Sequence, residues 1–241
     1  LSMLDGFFKY VKLPVNKTSW APFSPHHNTH LIKAFKDSGF ESARVFVIDG
    51  RGSDWYLEDN TEAYETCSIY DVTSSGVKCI YKKLFSKNNK NLKVNTDYLP
   101  YQNKYNIKPG PLFIDKDTVY EVSSNLDLGH FYYEVSKHFG YEEEEGKFMG
   151  YQSYGSVNND LYNELQKGVT AKTIESIVQN KDNAATCQKF FEDSYAELVQ
   201  KYKASHMVFT GGTALNVVNN YKIQKKFWDC DVYHDPLCAD A

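Results

Sequence analysis

The chain has 241 residues, which is enough for one large domain or for two lobes with an ample core. Its net charge of −4 is mild, so the composition gives no electrostatic case for a nucleic-acid partner. No apolar run approaches the roughly 18 residues that a membrane span needs. The five cysteines are scattered without a CxxC pair. These features predict a cytoplasmic protein with reduced thiols that does not enter a membrane.

The segment from residue 25 to residue 52 holds the first candidate site. His26 and His30 are four residues apart, so on a helix they lie one turn above each other on the same face. The apolar strand that follows ends on Asp49, where open α/β sheets usually hold ligands. Two imidazoles and a carboxylate can chelate a divalent metal. The structural alternative is a histidine pair that binds nothing, followed by an ordinary Asp-Gly turn.

Alternation of polar and apolar residues predicts a hairpin after this strand. Its strands cover residues 63–72 and 76–85 and are joined by a Ser-Ser-Gly turn. Residues 86–118 are rich in Asn, Lys and Pro, and we expect them to be mostly loop. Helical periodicity resumes over residues 124–139, and Gly140 has the position of a C-terminal cap.

The segment YEEEEGKFMGYQSYG, residues 141–155, combines acidic residues with glycines. A run of glutamates is typical of a solvated turn. The glycines that follow, with Lys147 among them, would let the backbone approach a ligand beside one fixed cation. Residues 157–180 are predicted to form a small helical insertion.

The last part of the chain predicts a second candidate site at a glycine turn. Gly211, Gly212 and Thr213 lie between a predicted strand and a predicted helix. Exposed backbone amides and the positive end of a helix would make an anion or nucleotide site there, although a plain tight turn has the same sequence. The predicted elements are helices over residues 183–203 and 214–221 and strands over residues 206–210 and 228–232.

Taken together, these segments resemble the O-carbamoyltransferase family, whose members include the nodulation-factor, cephalosporin and tobramycin carbamoyltransferases. The histidine segment resembles HHxxHAxSAF, and the end of the first strand resembles DGxGE, with Ser53 where the family usually has Glu. Residues 128–155 resemble LGxFY…LGF…DEGKxMGLAxYG. Residues 211–220 resemble GGxALNxxxN, and residues 236–240 resemble the closing PxxxDxG.

The resemblance implies an α/β fold of the actin-like, sugar-kinase-like type, in which two RNase H-like lobes enclose a nucleotide-binding cleft. We expect lobe one over about residues 1–120 and lobe two over about residues 121–241. The family's YrdC-like domain, which forms carbamoyl-adenylate, is absent from this sequence. Residues 1–241 are therefore expected to be a partial N-terminal domain, truncated at both ends, that does not perform the full reaction alone. If they were the whole polypeptide, the protein would need a partner subunit or would have lost activity.

The resemblance also implies a bound metal and a reaction. The family makes carbamoyl-adenylate from carbamoyl phosphate and ATP, then passes the carbamoyl group to a hydroxyl of a small molecule. A mixed nitrogen and oxygen ligand set fits iron or manganese best, with magnesium or zinc as alternatives. The metal would polarise the acyl phosphate. The implied metal ligands are His26, His30, Asp49 and Asp240.

The resemblance also implies nucleotide-binding residues, and residue type and position suggest catalytic ones. Lys147 would neutralise the phosphate, and Glu144 or Glu145 would take the proton of the acceptor hydroxyl. These roles are assigned from residue type and position. The implied nucleotide-binding residues are Gly211, Gly212, Thr213 and Asn216.

Three other readings stay open at this point. A tRNA threonylcarbamoyl transferase shares the histidine pair, the Gly-Gly turn and a closing Cys-x-Asp, which Cys238 and Asp240 match. The EGKFMG block and the lack of a basic surface argue against it. The chain would otherwise be a non-catalytic nucleotide- or metal-binding remnant that acts as a regulatory subunit, or a structural α/β domain with a fortuitous series of motifs.

Overall fold

The computed structural model describes residues 26–87 and 116–238 of the chain. Within these ranges a seven-stranded sheet organises the fold. Its strands are β1 (Ala43–Ile48), β2 (Asp54–Tyr56), β3 (Glu62–Thr73), β4 (Gly76–Phe85), β5 (Val119–Ser123), β6 (His206–Thr210) and β7 (Asp231–His234).

β1 lies in the middle of this sheet. The spatial order is β5-β4-β3-β1-β6-β7, and β2 pairs with β3 beside the main path. β1 is antiparallel to β3 and parallel to β6, while β7 continues the parallel side. Because β1 is covered on both faces, its sequence is apolar except for Arg44 near its start. An α/β fold is therefore confirmed.

Helices cover both faces of the sheet. They are α1 (His26–Ser38), α2 (Leu128–His138), α3 (Glu145–Tyr151), α4 (Asn159–Leu165), α5 (Ala171–Glu175), α6 (Lys181–Lys201) and α7 (Val217–Lys226). Alternate residues of β1 point to opposite faces: Val45 and Val47 pack with α1, whereas Phe46 and Ile48 pack with α2 to α7. None of the helices in the described ranges is both long enough and apolar enough to cross a membrane.

Most predicted elements are confirmed. The first helix, the first strand, the hairpin, the helical insertion and the long amphipathic helix all form. α1 ends at Ser38 because Gly39 adopts a positive φ of 71°. The sequence analysis predicts neither β2, which is too short for a periodic signal, nor β5, which pairs with β4. Residues 88–115 of the predicted loop lie outside the described residues.

Two segments differ from the predictions near the candidate sites. The EGKFMG block is helical, so Gly146 and Gly150 lie within α3 rather than in an open loop. After the glycine turn, a short 3-10 turn (Gly212–Leu215) precedes α7, which starts only at Val217. The reason is the side chain of Asn216, which accepts a hydrogen bond from the backbone N–H of Asn219 and caps α7.

Two other boundaries shift by a few residues. α2 begins at Leu128 instead of residue 124, because the N–H of Leu126 is bonded to the carbonyl of Val169 and the backbone of Asp127 is extended. β7 begins at Asp231, since the exposed Trp228 belongs to the turn that follows α7. Strands on both sides of residue 120 share this one sheet, and a division of the chain into two lobes near that residue stays a prediction.

Because the imidazole of His234 is largely buried, we expect the stability of the protein to depend on pH. His234 stacks on Phe209 with the ring centroids 5.1 Å apart, and neither ring nitrogen has a hydrogen-bond partner among the described residues. Burial lowers its pKa from 6.5 to about 4. The unfolded chain therefore takes up a proton between pH 6.5 and pH 4 that the folded chain does not, so stability falls as the pH is lowered through this window.

We expect His234→Phe to flatten this pH dependence. Between pH 7 and pH 5 the wild type should lose on the order of 2 kcal/mol more free energy of unfolding than the variant. Urea unfolding at both pH values measures the difference. His27 and His130 also have pKa values lowered to about 4 by burial, so some pH dependence persists in the variant. Parallel stability curves for the two proteins would contradict the prediction.

Candidate metal and nucleotide site

The structure brings His26, His30 and Asp49 together at the carboxyl end of β1. The Nε2 atoms of the two histidines are 3.1 Å apart. Oδ2 of Asp49 lies 2.9 Å from Nε2 of His26 and 3.3 Å from Nε2 of His30. One donor atom from each residue lies within 4.8 Å of the other two. Three candidate ligand atoms therefore face a single point.

Local packing aims these side chains. The apolar face of α1 is buried against the sheet through Leu31 and Phe35, which leaves the histidine face turned to the end of β1. Oδ1 of Asp49 accepts hydrogen bonds from the N–H of Gly50 (2.8 Å) and of Gly212 (3.2 Å). With Oδ1 engaged, Oδ2 is left for the imidazoles.

The charge state of Asp49 suits a cation ligand. Its burial by itself would raise the pKa of the carboxyl group, but hydrogen bonds from His26 and His30 outweigh burial and hold the pKa well below its usual range. Asp49 is therefore ionised at neutral pH. The fourth predicted ligand, Asp240, lies outside the described residues.

A buried carboxylate holds the segment that leads toward Asp240. Oδ1 of Asp235 accepts from Nζ of Lys33 on α1 (2.6 Å), and Oδ2 accepts from the hydroxyl of Thr210 (2.9 Å). The N–H of Leu237 also bonds to Asp235, 3.0 Å away. This arrangement ties the residues after β7 to the histidine helix and brings Cys238 to the wall of a cavity beside Asp49.

The cavity has a volume of about 400 Å³, which suits a small-molecule ligand. Its wall combines apolar side chains with a few polar groups from the loop after β1, from α2 and α3, and from the glycine turn. Among the lining residues that the structure describes, two are carboxylates and none is lysine or arginine. The lining residues are Asp49, Gly50, Gly129, Tyr132, Tyr133, Glu145, Gly146, Met149, Phe191, Gly212, Thr213, Leu215, Asn216 and Cys238.

The glycine turn lies where the sequence analysis predicts it. Its first glycine, however, is required for backbone packing and does not line the cavity. Gly211 has a φ of 83°, and a Cβ there would lie 2.5 Å from the carbonyl oxygen of Ile48. The hydroxyl of Thr213 donates to that same carbonyl at 2.8 Å. Gly212 and Thr213 line the cavity, whereas Gly211 does not.

The amide of Asn216 is engaged by the protein. Asn216 and Gln188 of α6 exchange two side-chain hydrogen bonds, at 3.2 and 3.3 Å. The same amide oxygen accepts from the N–H of Asn219 at 3.0 Å. Asn216 lines the cavity, and Gln188 accepts only one of the two protons of its amide nitrogen.

The structure places only one of the three predicted catalytic residues at the cavity. Glu145 starts α3 and lines the cavity. Glu144 and Lys147 form an ion pair with each other, and both side chains are about half exposed or more, at 48% and 67%. Neither is a lining residue of the cavity. The catalytic roles stay predictions, with Glu145 best placed for one.

Sequence reasoning misses the aromatic part of the wall. Gly129, Tyr132 and Tyr133 lie on one face of α2, at the i, i+3 and i+4 spacing of helix neighbours. Glu145 and Met149 have the same relation on α3. The spacing within the motifs therefore indicates which side chains share a helix face. It does not indicate where each helix packs, and that position is what makes these faces the wall of the cavity.

The described residues define an α/β protein with a histidine–aspartate cluster beside a cavity. Residues 10–176 match the family model described as the carbamoyltransferase N-terminus, and the chain belongs to this family. The chain is also similar to the uncharacterized protein MJ1058 of Methanocaldococcus jannaschii, with 26% identity over 153 residues. That match covers 52% of this chain and 25% of the relative, so it spans about a quarter of the relative's length.

Two helical glycines of the cavity wall offer a matched test of its packing. A Cβ on Gly129 would lie 2.4 Å from the carbonyl oxygen of Asp49, whereas a Cβ on Gly146 would have no atom within 4 Å. We expect Gly129→Ala to lower the free energy of unfolding by about 1–3 kcal/mol, because backbone must move. Gly146→Ala should be neutral or stabilise by up to about 1 kcal/mol.

Urea unfolding of both variants measures these differences. Gly146→Ala is the control, since it also adds a methyl group to a helix in the cavity wall. Equal effects of the two substitutions would show that the close approach of Gly129 to Asp49 does not constrain the site.

Proposed function

We propose that this chain is the metal- and nucleotide-binding part of an O-carbamoyltransferase. In this reaction a carbamoyl group passes from carbamoyl-adenylate, formed from carbamoyl phosphate and ATP, to a hydroxyl of a small molecule. The observation that carries the proposal is the convergence of His26, His30 and Asp49 beside a cavity of about 400 Å³. Membership of the carbamoyltransferase N-terminus family supports the carbamoyl chemistry.

The spacing of the three donor atoms supports a metal. Donors each about 2.1 Å from one ion, at octahedral or tetrahedral angles, lie roughly 3.0–3.4 Å from each other. The observed separations are 2.9, 3.1 and 3.3 Å. Two imidazoles with one carboxylate fit iron or manganese best, with magnesium or zinc as alternatives and Asp240 as the proposed fourth ligand. The metal would act as a Lewis acid toward phosphate oxygens.

The charge of the cavity supports a link between metal and nucleotide. Of its described lining residues, Asp49 and Glu145 carry acidic side chains and no lysine or arginine balances them. An adenylate or a phosphate that enters such a cavity meets like charges at close range. A divalent cation on the histidine cluster would reverse this repulsion. We therefore propose that the nucleotide binds after the metal, over Gly212 and Thr213.

Glu145 is the proposed base for the acceptor hydroxyl. It is half-buried at the start of α3 and is the one member of the predicted catalytic set that lines the cavity. A carboxylate there can accept a proton as the hydroxyl oxygen forms its bond to the carbamoyl carbon, while the bond from that carbon to the phosphate oxygen breaks and AMP leaves. Lys147 would have to leave its pairing with Glu144 to reach a phosphate, so its role depends on a side-chain movement.

The strand order supports the proposed fold. An antiparallel run of β4, β3 and β1 continues into the parallel strands β6 and β7, as expected for one RNase H-like lobe of the actin-like fold. We propose that a YrdC-like domain supplies carbamoyl-adenylate and that the protein works in the cytoplasm. The position of Cys238 beside Asp49 favours a tRNA threonylcarbamoyl transferase as the second candidate.

Metal content tests the proposal first. Protein reconstituted with Fe²⁺ or Mn²⁺ and then desalted should retain about one ion per chain, and His26→Ala/His30→Ala should lose it because two of three described donors are removed. Elemental analysis measures the content. His138→Ala/His206→Ala removes two histidines from outside the cluster and serves as the control. Equal metal content in all three proteins would refute the metal site.

Nucleotide binding should depend on the metal. We expect calorimetry to detect ATP binding to the metal-loaded protein and none, or far weaker binding, to the metal-free protein. Glu145→Gln should strengthen binding to the metal-free protein about fivefold to tenfold, since one repelling charge is removed. Glu164→Gln, on the exposed surface of α4, is the control. Equal affinity with and without metal would contradict the proposed order.

A further inference from the structure

Beneath the histidine helix lies an ion pair that is almost completely withdrawn from solvent. Nζ of Lys82 on β4 lies 2.5 Å from Oε2 of Glu65 on β3, and their side chains are 2% and 0% exposed. Burying two charges costs several kcal/mol per ion, and apolar residues of similar volume often stabilise a protein as well or better. Stability alone therefore gives a poor account of this pair.

The second carboxylate oxygen of Glu65 faces the start of α1. Oε1 accepts hydrogen bonds from the backbone N–H of His27 (3.2 Å) and of Ser53 (3.1 Å). The hydroxyl oxygen of Ser53 accepts from the backbone N–H of His26 at 2.8 Å. Glu65 and Ser53 thus bind N–H groups of the first turn, which have no partner within the helix, and the negative charge of Glu65 lies at the positive helix end.

The other side of the same pair holds the side chain of His27. Lys82 donates to the hydroxyl of Ser68 at 2.7 Å, and this hydroxyl lies 2.7 Å from Nδ1 of the buried His27 ring. The Lys82 ammonium also lies over the ring of Trp55, 5.1 Å from its centroid. The ion pair therefore joins the sheet to the first turn of α1 through both backbone and side chain.

The loop after β1 is fixed by the same carboxylate. Gly52 packs so closely that a Cβ there would lie 2.4 Å from Cγ of Glu65 and 2.7 Å from Nε2 of His27. The N–H of Gly52 bonds to the carbonyl of Glu65 at 2.7 Å, and the N–H of Asp49 bonds to the carbonyl of Thr66 at 3.0 Å. One short stretch of β3 thus holds both the helix with the histidines and the loop with Asp49.

We infer that Glu65, held by Lys82, is a positioning residue that sets the distance between the imidazoles of α1 and the carboxylate of Asp49. This inference rests on the proposed metal site. The inference also assigns a role to Ser53, which departs from the DGxGE pattern. Its hydroxyl accepts a hydrogen bond from the backbone N–H of His26, and the carboxylate at the start of the helix is supplied by Glu65 of β3.

The test compares two variants that both lack the buried cation. Glu65→Gln/Lys82→Met keeps an oxygen that can accept from the N–H groups of His27 and Ser53, whereas Glu65→Leu/Lys82→Met does not. Neither variant contains an unpaired buried charge. We expect the Gln variant to bind Mn²⁺ within about threefold of the wild type and the Leu variant to bind it about 10–100-fold more weakly, as for other supporting contacts of metal ligands.

A second readout needs no metal. Hydrogen exchange of the first-turn amides of α1 in the metal-free protein should be faster in the Leu variant than in the Gln variant. Arg44→Met/Asp71→Asn removes a cross-strand ion pair between β1 and β3 at the other end of β1, and it should leave this exchange unchanged. If the Leu variant does not fold, Ser53→Ala should speed exchange at the N–H of His26 with global stability retained.

The outcomes separate the two proposals. Equal Mn²⁺ affinity and equal first-turn exchange in the Gln and Leu variants, or unchanged exchange in Ser53→Ala, would overturn the positioning role of Glu65 and its partners. A wild type that binds no metal would overturn the proposed function, and the exchange comparison would then decide by itself whether Glu65 fixes the first turn of α1.

Discussion

The site depends on close backbone packing around the residues that leave β1. The carbonyl of Ile48 lies against Gly211, and the carbonyl of Asp49 lies against Gly129, in both cases closer than a Cβ would allow. Three segments that are distant in the sequence therefore meet around one loop. Because backbone atoms of packed elements cannot shift independently, the position of the Asp49 carboxylate is set by the fold itself. A metal ligand on such a loop needs little further ordering when an ion binds.

Electrostatics adds a second constraint to this geometry. The histidine cluster contains an ionised carboxylate, and the cavity beside it adds Glu145 without a cation among its described lining residues. Lys33 of α1, a cation near the site, is already paired with the carboxylate of Asp235. The charged side chains of the described lining are therefore all acidic, and they favour a cation before they favour a phosphate. In the proposed function, metal and nucleotide are coupled through this charge, and the coupling requires no change of conformation.

The sequence predicts much of this because its strongest signals are local. The spacing of His26 and His30 on a helix and the Asp49 that ends a buried strand predict a cluster that the structure does bring together. Non-local pairings escape such reasoning: Glu65 looks like an ordinary polar residue of a hairpin, and only the sheet register places it under α1. Local cues also misplace the start of α7, because Asn216 competes with the glycine turn as a cap. Short-range patterns predict elements, whereas the contacts between elements decide which side chain serves the site.

The buried Glu65–Lys82 pair costs stability, whereas its hydrogen bonds support the proposed site. A protein selected for stability alone would gain from apolar residues at these two positions, since desolvated charges are expensive. A carboxylate that accepts hydrogen bonds from N–H groups of both α1 and the loop after β1 offers something that apolar residues cannot. It fixes the relation between two elements that each carry proposed metal ligands. Ligand sets must be held to within about half an ångström to favour one ion geometry. The acceptor oxygen of Glu65, which an apolar residue would remove, therefore explains why a polar side chain lies at this buried position, and it places part of the proposed site in the protein core.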